Sequence, residues 1–185
     1  MRKYSIVFLA MIIGAGCSAQ KGNYATRMAQ TVMKTYPDSI VVRKYVTHGP
    51  NEEKVEEKKP SSPATWDYEQ GVVLEGFEKL WRQSGDRSYF MYMQKMMDLF
   101  VEADGSIRTF EILEYNLDNI TPGTILLTLY RETKDEKYRK AADRLREQLT
   151  WQPRTKEGAF WHKHRYPYQM WLDGLYMASP FLAQY

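Results

Sequence analysis

The sequence predicts an all-α protein assembled from repeated helix pairs, and three observations carry that expectation. Apolar residues recur at spacings of three and four along most of the chain. No convincing run alternates as a strand would. A helix–turn–helix segment occurs twice at a constant offset of 49 residues. The 185 residues are 43% hydrophobic, 26% charged and 14% aromatic, which suits one folded domain and excludes a disordered, collagenous or low-complexity protein.

The N-terminus reads as an address. Met1-Arg2-Lys3, an apolar run from Ser5 to Ala15 and the small residues Gly14, Ala15 and Gly16 make residues 1–16 an export signal, too short to span a membrane. Cys17 stands where a bacterial lipoprotein signal places its lipidated residue, so a lipid on Cys17 and a tether over 17–23 are expected. A cut after Ala19 is the alternative and would release a soluble periplasmic protein. The expected location is therefore periplasmic or membrane-anchored, with a lipid anchor as the sole membrane contact. One cysteine excludes a disulfide framework and a CxxC zinc site. Two of the 26 basic residues, Arg2 and Lys3, lie in the leader, which leaves 24 basic against 23 acidic residues. A chain so close to neutral is a poor partner for nucleic acid.

Tyr24 to Tyr36 reads as a helix stopped by Pro37. Asn51 to Pro60 is a charge run followed by Ser-Ser-Pro, read as a solvated loop. The next helix covers Thr65 to Gln83, with Val73, Leu74, Phe77, Leu80 and Trp81 on one face. Arg87 to Val101 places Tyr89, Met93, Met96, Met97 and Phe100 at helical spacing. Thr121-Pro122 reads as a capping hydroxyl followed by proline at the first helical position, opening a helix to about Glu132. Glu136 to Leu149 makes another, and Met170 to Ala183 a last one that Pro180 is expected to interrupt.

The repeat aligns Leu80-Trp81-Arg82 with Leu129-Tyr130-Arg131, and Asp86 and Tyr89 with Asp135 and Tyr138. It continues to Met96 over Leu145 and Phe100 over Leu149. Each unit is a helix, a short polar turn with Asp as the next N-cap, and a second helix packed back. One such hairpin cannot bury its own apolar face, so a helical array or toroid follows. About three units fit after the leader, which reads as part of a larger protein.

Three clusters interrupt the packing pattern: Trp66 to Gly71, Tyr115 to Ile120, and the long stretch Gly158 to Met177. In the last, aromatics alternate with His, Lys, Arg, Gln and Asp. Aromatic faces beside hydrogen-bonding groups suit sugars, whose CH faces are apolar and whose edges are hydroxyls. Asp173 among Trp171, Leu172, Leu175 and Tyr176 is expected to be held protonated, as a general acid requires, with Asp118 pushing the same way. Blander readings stand beside these: Asp118 as a helix-start cap, Asp173-Gly174 as a turn, Asp67 and Glu69 as decoration of a helix N-terminus. The spacing of His162 and His164 beside Glu157 could hold a metal, but no third histidine accompanies them, and neither metal nor cofactor is expected. No GxSxG, Walker or Rossmann pattern occurs.

The stretch Phe160-Trp161-His162-Lys163, then Tyr166-Pro167-x-Gln169-Met170-Trp171-Leu172-Asp173-Gly174-Leu175-Tyr176-Met177 with Pro180-Phe181, closely resembles family 105 of the glycoside hydrolases, the unsaturated rhamnogalacturonyl and related uronyl hydrolases. Asn116-Leu117-Asp118-Asn119 and Trp66-x-Tyr68-x-x-Gly71 match as well. The resemblance implies an (α/α)6 barrel, with residues 24–185 forming about its first half. It also implies a substrate, an oligosaccharide left by a polysaccharide lyase with a 4,5-unsaturated uronic acid at its non-reducing end. Asp173 would be the general acid/base and Asp118 its assisting carboxylate, while Tyr68, His162, Gln169 and Trp171 would contact the sugar. Competing readings are a non-catalytic glycan-binding lipoprotein, a protein-binding helical scaffold and an inactive barrel fragment.

Overall fold

Two aspartates 49 residues apart set the architecture. In the computed structural model, which describes residues 24–40, 45–47, 53–55 and 64–185, Asp86 and Asp135 each begin the second helix of a pair. The leader, Cys17 and the 17–23 tether lie outside the described residues. The helices are α1 (Tyr24–Thr35), α2 (Tyr68–Ser84), α3 (Arg87–Asp98), α4 (Gly123–Thr133), α5 (Glu136–Trp151) and α6 (Asp173–Gln184). Short 3-10 turns at Ile112–Glu114 and Leu117–Ile120 precede α4.

The repeat holds at the level of single hydrogen bonds. Asp86 accepts from the Ser88 N–H at 2.9 Å, and Asp135 from the Lys137 N–H at 3.0 Å. One residue earlier the chain turns left-handed, at Gly85 (φ 71°) and at Lys134 (φ 60°), and each N–H closes the preceding helix onto Trp81 or Tyr130. Just before these corners, the Ser84 and Thr133 hydroxyls accept from the Asp86 and Asp135 N–H groups at 3.1 and 3.2 Å. Glycine takes a left-handed corner without a Cβ penalty and lysine does not. Lys134→Gly is therefore expected to stabilise the protein by about 1 kcal/mol, and Gly85→Lys to destabilise it by a similar amount, in denaturant melts.

Beyond the helix pairs the offset changes. α3 has 12 residues and α5 has 16, so one extra helical turn enters the second unit. Both units then form the same tight loop, bridged at Val101 and Ile107 in the first and at Arg154 and Phe160 in the second, with Gly105 (φ 82°) and Gly158 (φ 91°) at the corners. That extra turn matters at the site.

α2, α4 and α6 pack side by side, and α3 and α5 lie behind α2 and α4. Met93, Met96, Met97, Phe90 and Phe100 fill the first pair, and Tyr138, Ala141, Leu145 and Leu149 the second. α4 runs between them with Gly123 to Leu129 all buried. A Cβ on Gly123 would come within 2.6 Å of the Phe181 ring on α6 and 2.8 Å of the Leu145 side chain on α5, so side chains of both helices press on the α4 backbone there. Among the described residues these six helices give the helix-pair layering expected of a toroid fragment.

Four expectations change. Tyr45–Thr47 pairs antiparallel with Glu53–Val55, so a short hairpin stands where the sequence reads as strandless, and it takes in part of the charge run. Tyr-Val-Thr has high strand propensity, which outweighs the charge pattern beside it. Thr121 does not cap α4: Pro122 occupies the cap position with helical angles, because the 3-10 turn feeds straight into the helix. The Thr121 hydroxyl instead meets Met177 Sδ of α6 at 2.8 Å. Pro180 sits inside α6 without ending it, as buried Met177, Ala178 and Phe181 anchor both sides of the missing hydrogen bond. Finally, α6 begins at Asp173 rather than Met170, since residues 169–172 are committed to the loop described next.

Candidate active site

Asp118 sits in the 3-10 turn before α4, His162 and Lys163 follow the second tight loop, and Asp173 opens α6. Backbone hydrogen bonds draw these segments together. The Leu117 N–H donates to the His162 carbonyl at 3.0 Å, and the His162 N–H to the Gln169 carbonyl at 2.8 Å. Two buried glutamines at the end of α5 fasten the same segments. Gln152 Nε2 donates to the Tyr115 and Trp161 carbonyls at 2.7 and 2.9 Å, and Gln148 Nε2 to the Asn116 carbonyl at 3.1 Å. The extra turn of α5 delivers Gln152 to this place.

The resulting constellation is a row of charges. Asp118 is buried, and its two oxygens face different side chains: Lys163 Nζ at Oδ2, and His162 Nε2 3.1 Å from Oδ1. His162 Nδ1 lies 3.8 Å from Asp173 Oδ1 on the other side. The imidazole is 1% exposed, and although Nε2 is close to Asp118 the approach is off the N–H line, so neither ring nitrogen has an aligned hydrogen bond. Trp171 stacks flat on it at 4.4 Å and 13°, and Tyr166 in turn stacks on Trp171 at 5.2 Å and 21°. A buried imidazole thus lies between two carboxylates with Trp171 over its face.

Asp118, His162 and Asp173 offer donor atoms within 4.8 Å of one another, the spacing of a cation site. Lys163 already supplies a positive charge to Asp118, so the protein offsets that carboxylate itself. The HxH pair is not assembled: His164 turns away to pack edge-on against Tyr115 at 5.8 Å.

Tyr68 opens α2 within electrostatic reach of the cluster. Its phenol is pushed above the usual tyrosine range first by Glu69, then by burial and Asp67, and then by Asp118 and Asp173. Gln169 is occupied twice, by its carbonyl with the His162 N–H and by Oε1, which accepts from Trp171 Nε1 at 3.0 Å. Asp173 departs from expectation. Its side chain is 51% exposed, and Trp171, Leu172, Leu175 and Tyr176 around it are exposed too, so the apolar enclosure read from the sequence does not form among the described residues. Helical periodicity turns Leu175 and Tyr176 outward while Gly174 and Met177 face the core, and Trp171 and Leu172 lie in the loop before the helix.

Three contributors escape sequence reasoning. Lys163 stood in the motif but had no role, and Gln152 was visible only as the change in repeat offset. The third is Glu75 on α2, which accepts from Tyr176 of α6 at 2.6 Å and from Thr124 of α4 at 3.2 Å, so one carboxylate joins all three helices of the layer. Tyr176 is one turn below Asp173. The hydrogen bond to Glu75, reinforced by burial, pushes its phenol up to about 12 from 10.0. A raised phenol favours the neutral form in the fold, so the strut is complete below pH 10 and weakens as pH rises toward 12. Alkaline melts should show the wild type losing stability relative to Tyr176→Phe across that window, where the variant has no phenol to ionise.

The motifs thus converge in space. The family described as Glycosyl Hydrolase Family 88 matches residues 25–185. Among solved structures, one titled "Structural Analysis of C. acetobutylicum ATCC 824 Glycoside Hydrolase From Family 105" superposes with a TM-score of 0.71 at 37% identity. The match covers 88% of this chain and 39% of that one, so the chain spans well under half of that relative's length. With the family match running from α1 to the end of α6 and the motif residues Asp118, His162 and Asp173 brought side by side, the chain belongs to Glycosyl Hydrolase Family 88 and carries the family 105 type of helical toroid.

Proposed function

We propose that the protein is a glycosidase that removes a 4,5-unsaturated uronic acid, galacturonic or alternatively glucuronic, from the non-reducing end of lyase-generated oligosaccharides, as in the breakdown of pectic rhamnogalacturonan. The observation that carries this reading is the pairing of a solvent-reachable carboxylate, Asp173, with a buried one, Asp118, across a single buried imidazole. The exposed acid can touch substrate while the buried one fixes the imidazole.

In this reading the Asp173 carboxyl donates its proton to C4 of the C4=C5 vinyl ether. The ring oxygen shares its lone pair with C5 to give an oxocarbenium ion. Water adds at C5 and returns a proton to the Asp173 carboxylate. The resulting hemiketal opens and the neighbouring sugar leaves. The anomeric carbon is never attacked, so the carboxylate separation that sorts retaining from inverting glycosidases does not govern here. His162 and Lys163 hold Asp118, and Tyr68 and Trp171 line the approach to the sugar. The protein works after export, with Cys17 carrying the lipid anchor.

Turnover of an unsaturated galacturonyl–rhamnose disaccharide, followed as loss of the ultraviolet absorbance of its double bond, tests the proposal. Absorbance should fall with one neutral sugar released per double bond lost. Sugar affinity without any absorbance change would replace this reading by glycan binding.

A further inference from the structure

Tyr168 is the position that the resemblance leaves open, between Pro167 and Gln169, and its conformation is unusual. Its backbone is left-handed, at φ 63°, and its ring is 74% exposed. Residues with a Cβ adopt that corner at a cost, and asparagine or glycine would suit it better. The repeat supplies an internal comparison. Tyr115, the equivalent residue 53 positions earlier, is also left-handed at φ 43°. There the corner is held from inside the fold: its ring packs edge-on against His164, and Gln152 binds its carbonyl. The Tyr168 ring instead leans on Trp161 at 4.6 Å and 57°, with most of its surface open to water. Trp161 is itself anchored, its N–H on the Pro153 carbonyl at 2.8 Å and its own carbonyl on Gln152. The residues flanking Tyr168, Pro167 and Gln169, bring no charge. The Gln169 carbonyl then accepts from His162, which ties this corner to the wall of the catalytic pocket.

We propose that Tyr168, backed by Trp161, is a stacking platform for the apolar face of a neutral sugar lying beyond the first disaccharide unit, and so favours longer oligosaccharides over the disaccharide. The proposal rests on the glycosidase reading above. An exposed tyrosine ring backed by a half-buried tryptophan matches the CH face of a neutral hexose or deoxyhexose and brings no charge to pair with a carboxylate. A strained corner that presents a ring to solvent is also what a binding role costs in stability.

The test compares wild type with Tyr168→Asn and Tyr168→Phe on an unsaturated rhamnose-containing tetrasaccharide and on the disaccharide, with thermal melts alongside. Tyr168→Asn should melt at the same or a higher temperature. It should raise KM for the tetrasaccharide about three- to tenfold with kcat unchanged, and leave the disaccharide constants as they were. Tyr168→Phe should retain wild-type values. Equal KM values in Tyr168→Asn and wild type, or a Phe variant as weak as Asn, would overturn the platform. Should the wild type show no turnover, the glycosidase reading fails separately. The same tetrasaccharide titrated against tryptophan fluorescence then decides: weaker binding by Tyr168→Asn keeps the platform and equal binding removes it.

Discussion

Asp173→Asn is expected to bring turnover of the unsaturated disaccharide close to background, a loss of about 10²–10⁴-fold, the usual worth of a positioned general acid. Asparagine keeps the shape of the side chain and of the first turn of α6, but has no proton to give to C4. The aromatic stack over His162 and the Tyr68 end of α2 do not depend on that proton. Binding of the substrate, read from tryptophan fluorescence, should therefore change only a few-fold while kcat collapses. A variant with more than a tenth of the wild-type rate would remove Asp173 from the acid role. Asp118→Asn makes an informative partner. It would leave Lys163 and the buried imidazole without their anion, so its loss should come with a lower melting temperature, which Asp173→Asn should not show.

Gly71→Ala is expected to be the most damaging single-methyl change near the site. In an exposed helix this exchange would gain about 1 kcal/mol. Here the added Cβ would lie 2.8 Å from the Pro122 nitrogen and 2.9 Å from the Thr121 carbonyl carbon, both backbone atoms that cannot swing aside. Overpacking of this kind costs roughly 1–3 kcal/mol, and with a rigid peptide group as the obstacle the upper part of that range is expected. α2 and the turn leading into α4 would have to separate. The first carries Tyr68 and the second Asp118, so stability and activity should fall together, measured by denaturant melts and by absorbance loss. Gly76, five residues along the same helix with open space around it, is the control: Gly76→Ala should be neutral or stabilising. If Gly71→Ala melts like Gly76→Ala, α2 and the turn are not packed as closely as described.

The helix pairs were legible because their information is local. Capping aspartates, polar turns and three-and-four spacing act within a few residues, so the 49-residue repeat survives translation into hydrogen bonds almost unchanged. The acids were legible for a related reason, as unusual residue combinations at helix starts. Their setting was not. Asp173 reads as enclosed because its neighbours in sequence are apolar, yet the loop before α6 and the helix itself leave those neighbours exposed and the carboxyl half-exposed. His162 reads as a sugar contact but lies buried between two carboxylates, which only the meeting of three loops could reveal. The cap assigned to Thr121 failed because its hydroxyl was claimed by Met177, 56 residues away.

By itself, then, the sequence determined the helical class, the repeat and the family, since each is written in spacing or in a contiguous motif. The tertiary structure alone decided which charges meet, which side chains are covered and how closely the helices approach. Those outcomes depend on contacts between residues 40 to 100 positions apart, such as Lys163 on Asp118 or Tyr176 on Glu75, and a linear pattern carries no distance between such residues until the chain has packed.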